Sequence, residues 1–163
     1  MVGVSNGQQR GIAGAGPEGA DIQHVFATFH VAGQLFGVPV TRVQDILTPN
    51  VIARVPLGPA EVRGLINQRG RIVTVIDMHV RLALACAESG RGVCVTVDSD
   101  GELYTLLVDS VGDVVDLPGS AREAPPPTLD PSWADLSDGV FRMGDELLVA
   151  LDVTRLLDIR RKN

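Results

Sequence analysis

Asp77 and His79 come closest to a catalytic pair in this sequence. Two positions apart on a strand they share a face, and a carboxylate beside an imidazole can do general acid–base work. Asp77 has a second reading, as the residue that ends one strand and caps the next turn of chain. A small hydrolytic enzyme therefore rests on this pair alone, and no G-x-S-x-G elbow supports it. The three histidines, His24, His30 and His79, show no metal-ligand spacing with each other or with Cys86 and Cys94. No metal, cofactor or catalytic residue is expected. Lys162 is the only lysine, so a G-x-x-x-x-G-K-[ST] phosphate loop is absent. Gly11-Ile-Ala-Gly-Ala-Gly16 follows no strand and opens no helix, and reads as flexible chain.

With 163 residues, 14 basic against 20 acidic side chains and a net charge of −6, one acidic domain is expected and nucleic acid is a poor partner. Hydrophobic residues make up 45% and aromatics only 4%, so Val, Leu and Ile must fill the core. No apolar run reaches the ~18 residues a bilayer span needs, and the opening residues carry no signal-peptide pattern. The expectation is a cytoplasmic protein with reduced cysteines and no membrane insertion.

Residues 1–22 are glycine-rich, lack a large apolar cluster and are expected to be a flexible leader. From Val25 the chain turns to short β-rich runs: Val25–Ala32, Leu35–Val40, Arg71–Ile76, Val93–Val97, Leu103–Val108 and Glu146–Leu151. Asp98-Ser-Asp-Gly101 is a hairpin signal between two of them. Thr41-Arg-Val-Gln44 has the form of a capping box, so a short helix is expected to carry Val43-Gln-Asp-Ile46. Asp152 is placed to cap Val153–Leu157. The prolines of 118–138 predict an irregular connector. Many short strands with close turns predict an all-β sandwich or barrel.

The chain repeats itself. At an offset of 68, Val25, Thr28, Gly33, Leu35, Val40, Val43 and Asp45 meet Val93, Thr96, Gly101, Leu103, Val108, Val111 and Asp113. At an offset of 75, Gly64, Asp77 and Leu82 meet Gly139, Asp152 and Leu157. Ordered matches at a fixed offset point to duplication. The halves 25–82 and 93–157 predict two similar barrels inside a domain of residues 23–158, with a tail at 159–163. A groove between them is the default place for a partner.

The chain resembles the CheW family of bacterial chemotaxis adaptors. The resemblance is carried by Phe26-Ala-Thr-Phe29, Gln34-Leu-Phe-Gly-Val-Pro-Val40, Val43-Gln-Asp-Ile46, Val55-Pro56, the run from Val62 to Asp77, Leu106–Val114 and Leu147–Asp152. It implies a mainly β fold of two SH3-like five-stranded barrels with a few short helices, in agreement with the repeat. It implies a non-catalytic scaffold that binds the cytoplasmic signalling tip of chemoreceptors and the regulatory domain of the histidine kinase CheA. The protein would then be cytoplasmic and recruited to receptor arrays. An adaptor of a parallel pathway, with surface motility or a second messenger as output, is the alternative.

By motif position, the resemblance assigns receptor binding to Val43, Asp45 and Ile46 in the first half and to Val111 and Val114 in the second. It assigns a coupling surface to Arg63, Arg69 and Gly70. Val43 and Ile46, spaced i, i+3, are read either as partner contacts or as core. Asp45 is read as a surface charge, because an unpaired buried carboxylate is expensive. Gly70 suits a turn with positive φ, and the fork of Arg69 suits a partner's carboxylate. Four positions depart from the family's usual residues: Asp45 for glutamate, Gln68 for an apolar residue, Thr74 for proline and His79 for arginine.

Overall fold

In the computed structural model, residues 22–48, 51–56, 58–84 and 92–159 are described. All of the expected leader except Ile22 lies outside them, as do Cys86 and 160–163. Each half begins with a hairpin: β1 (Gln23–Val31) and β2 (Gln34–Pro39) in the first, β6 (Val93–Ser99) and β7 (Glu102–Val108) in the second. Ala32-Gly33 and Asp100-Gly101 turn them with both residues at positive φ, the geometry that matches strand twist. A third strand follows in each half, β3 (Val43–Leu47) and β8 (Ser110–Pro118). A second hairpin closes each half, β4 (Val62–Gln68) with β5 (Arg71–Asp77), and β9 (Ser137–Met143) with β10 (Glu146–Leu151). Short helices α1 (Met78–Arg81) and α3 (Val153–Leu156) end the halves, capped by the side chains of Asp77 and Asp152. The connector holds one further helix, α2 (Pro131–Leu136), with Pro131 in its first turn and Asp130 accepting from Ser132 N–H.

Two expectations are corrected. Val43-Gln-Asp-Ile46 is strand and not helix: the helical stretch is a 3-10 turn at Val40–Arg42, with no side-chain cap. The Thr41…Gln44 spacing mimicked a capping box, but β-branched Val43 pairs with Val97 on β6 instead. Second, the halves are not the sheets. One five-stranded sheet runs β8-β1-β2-β10-β9 and the other β3-β6-β7-β5-β4. Each takes a hairpin from one half and three strands from the other. The join is parallel in both, Leu148 with Leu35 and Thr74 with Tyr104. Parallel neighbours cannot come from a tight turn, so the exchange between halves supplies them. The two SH3-like subdomains are thus interlocked, and their hydrogen-bonded strand orders are open rather than closed rings.

A shared core joins the two sheets. Phe29, Phe36 and Val38 of the first sheet share one buried cluster with Val95, Val97 and Leu106 of the second. Phe26, Leu148 and Phe141 form a smaller cluster in the first sheet, and Ile66, Val75 and Cys94 one in the second. The helices seal the seam. Trp133 Nε1 donates to Leu82 O at 2.7 Å, and Arg81 Nε donates to Leu156 O at 2.7 Å. Ile159, assigned to the tail by sequence, is buried in the shared cluster.

Candidate functional site

Arg63 is on β4, and Arg69 and Gly70 are in the β4–β5 turn. Val43, Asp45, Ile46, Val111 and Val114 lie on the two outer strands β3 and β8, which occupy one edge of each sheet. Both strands carry an irregularity at the same repeat position: one residue more than its partner strand between Val43 and Asp45, and between Val111 and Val114. Such bulges re-aim side chains at sheet edges and discourage edge-to-edge pairing.

On β3 the geometry separates the two readings left open. Val43 packs partly buried against the shared core, whereas Ile46 is 47% exposed. Asp45 sits between them and is held from three sides. Arg69 Nη2 lies 3.0 Å from Asp45 Oδ2, Gln68 Nε2 donates to the same oxygen at 3.3 Å, and Ile46 N–H donates to Oδ1 at 2.9 Å. Strand β3 and the end of β4 lie at opposite edges of their sheet, so this contact draws the two edges together. Gln68 extends the contact inward: its Oε1 accepts from Thr96 Oγ1 at 2.9 Å, and Thr96 hydrogen-bonds Thr105 at 2.9 Å. A carboxamide that both donates and accepts is what this position uses, which gives the departure from an apolar residue a physical reason. Arg69 remains 80% exposed. Its turn is the third with paired positive φ, at Arg69 and Gly70, and Gly70 N–H donates to Asn67 Oδ1 at 2.9 Å.

Arg63 is less free. Its Nη1 lies 2.9 Å from Asp77 Oδ2, while Asp77 Oδ1 takes the N–H groups of His79 and Val80 at the start of α1. Arg63 therefore braces a helix cap. The same contacts bear on the hydrolytic reading. His79 meets Asp77 through its backbone N–H, and its ring Nε2 lies 2.8 Å from Asp109 Oδ1 instead. Asp109 Oδ2 accepts from Ala32 N–H at 2.7 Å. Asp77 and His79 thus form no side-chain acid–base pair. Asp109 ties α1 to the β1–β2 turn at the point where the chain enters β8. Burial pushes its carboxyl up, but the hydrogen bonds from His79 and Ala32 and the charge of His79 outweigh this and hold it below the usual carboxylate range.

On β8, Val111 is 39% and Val114 60% exposed. Asp113, the repeat counterpart of Asp45, lies exposed between them. Cys94 is buried, which pushes its thiol up to about 11 and makes it unreactive. Among the described residues no three His, Cys, Asp or Glu side chains come together as a metal site, and no helix is long and apolar enough to cross a membrane. The arrangement offers short apolar side chains beside oriented charges on two strand edges, which is the chemistry of protein docking. Sequence reading missed Gln68 as a connector and Asp109 altogether. For Gln68 the signal was a polar residue at an apolar position; for Asp109 there was none, because its partners are remote in sequence.

The model of the CheW-like domain matches residues 26–161. A chemotaxis protein CheW of Treponema pallidum is 28% identical over 141 residues, covering 83% of this chain and 83% of that protein. One from Klebsiella aerogenes is 25% identical over 140 residues, covering 85% and 84%. The crystal structure of the scaffolding protein TtCheW from Thermoanaerobacter tengcongensis superimposes with a TM-score of 0.76 at 23% identity, covering 87% of this chain and 92% of that one. Fold, repeat and family model agree across nearly all the described residues, and the chain belongs to the CheW-like domain family.

Proposed function

We propose that this chain, a chemotaxis adaptor of the CheW kind, couples the cytoplasmic tips of chemoreceptors to the regulatory domain of the histidine kinase CheA. The family match over 26–161 carries this reading. The relatives are named chemotaxis proteins, and the solved relative is named a scaffolding protein. The surface chemistry supports it: Ile46, Val111 and Val114 offer apolar anchors, while Asp45 and Arg69 set charge beside them. An amphipathic receptor helix needs that combination, with anchors for affinity and charges for orientation. The work is done by holding partners, without chemistry, and it recruits the protein to membrane-bound arrays through the receptors. Sedimentation of the chain with a receptor signalling fragment and CheA, with kinase activity read in the pellet, tests the reading. Co-sedimentation and altered kinase activity are expected. If neither partner is retained and kinase activity is unchanged, the reading fails.

A further inference from the structure

The two repeat-related carboxylates, Asp45 and Asp113, differ in their partners: Asp45 pairs with an arginine, and among the described residues Asp113 pairs with none. Asp45 takes Arg69 at 3.0 Å from the β4–β5 turn of its own chain. The corresponding turn beside the other sheet is Gly144-Asp145, at the offset of 75 that relates Gly64 to Gly139, with Gly144 in the place of Arg69. Among the described residues no cation fills the place of Arg69 there, and the Asp113 carboxylate has no partner. The position is nevertheless built. Thr28 Oγ1 donates to Asp113 O at 2.6 Å and fixes the irregular stretch that presents this residue. A Cβ on Gly112 would come within 2.7 Å of the same hydroxyl, so a side chain there would displace the hydroxyl that holds this stretch. Val111 and Val114 flank the carboxylate with exposed apolar surface. Apolar neighbours exclude water around an ion pair once a partner covers them, and that strengthens it.

We propose that Asp113 is an arginine-accepting docking residue: a partner protein completes this edge with an arginine, as Arg69 completes the edge at Asp45. The inference rests on the adaptor reading and names the partner's chemistry at β8. The occupant is an arginine of the receptor's signalling tip, set among short apolar side chains. The planar fork of arginine suits a preset carboxylate better than the flexible point charge of lysine.

Titration of a purified receptor signalling fragment against the full chain tests it. Asp113→Asn should weaken binding about threefold to tenfold and Asp113→Arg by more than about tenfold, both more strongly at low salt. Melting temperatures should be unchanged. Replacing the docking arginine of the receptor by glutamate should restore binding to the Asp113→Arg variant alone. Wild-type binding with both variants within twofold of it would overturn the inference and leave the adaptor reading intact. A weakened Asp113→Asn variant that also melts lower would overturn it too, making Asp113 structural. Failure of the wild type to bind the receptor fragment would instead bring down the adaptor reading and this inference with it.

Discussion

The two sheets share a plan and differ at one edge. In the sheet led by β3, Arg69, Asp45 and Gln68 pull the outer strands together, and a chain of hydrogen bonds runs inward to Thr105. In the sheet led by β8, the matching carboxylate is exposed and the matching turn has no arginine. Among the described residues, one edge thus pairs its carboxylate within the chain and the other presents its carboxylate unpaired. Burial along the strands follows the same split: β3 alternates half-buried and exposed residues, whereas the first five residues of β8 are all exposed.

The shared plan depends most on the core that joins the sheets. Phe36 belongs to the first sheet but packs in the shared cluster. Phe36→Ala should cost about 3–5 kcal/mol and unfold both sheets in one transition. Denaturant unfolding followed by two probes, one per sheet, checks this; separate transitions would mean the sheets are independent units. A smaller loss is expected at the seam. Asp109→Ala leaves the His79 ring and the Ala32 N–H without their acceptor, which should cost about 1–3 kcal/mol. The carboxyl of Asp109 is held below its unfolded value, so its contribution is present above about pH 4 and lost as pH falls through the lower folded value. Acid unfolding of Asp109→Asn should accordingly be shallower below about pH 4 than that of the wild type.

The two carboxylates give the finest contrast. Asp45→Asn should cost at most about 1 kcal/mol, since Arg69 is largely in solvent and such pairs are weak. Asp113→Asn should stay within about 0.5 kcal/mol, as for an exposed side chain with nothing to lose. Equal melting temperatures for the wild type and Asp113→Asn, with a small drop for Asp45→Asn, would confirm that one edge is internally paired and the other is not.

Much of this was legible in the residues. Val/Leu/Ile runs between Gly and Asp turns marked the strands, because period-two burial and positive-φ turns are written locally. Asp77 and Asp152 announced their caps. The repeat was legible, but not the exchange of hairpins, since strand partners as remote in sequence as Thr74 with Tyr104 and Leu148 with Leu35 leave no local signature. Val43 and Ile46 at i, i+3 fitted a helix as well as a strand with one extra residue, and only pairing with Val97 and Val95 decides between them. Asp45 and Arg69 were each legible as surface charges, but their contact was not. It depends on how far a five-stranded sheet curls.

The decisive experiment is kinase activity and co-sedimentation in a mixture of receptor fragment, CheA and the Arg69→Glu variant, beside the wild type. The wild type is expected to couple receptor to kinase. The variant, with two acids now facing each other at β3, should lose most of the coupling while keeping its melting temperature within a few degrees. Undiminished coupling by the variant, or coupling lost only because it no longer folds, would contradict the assignment of these strand edges as the working surface.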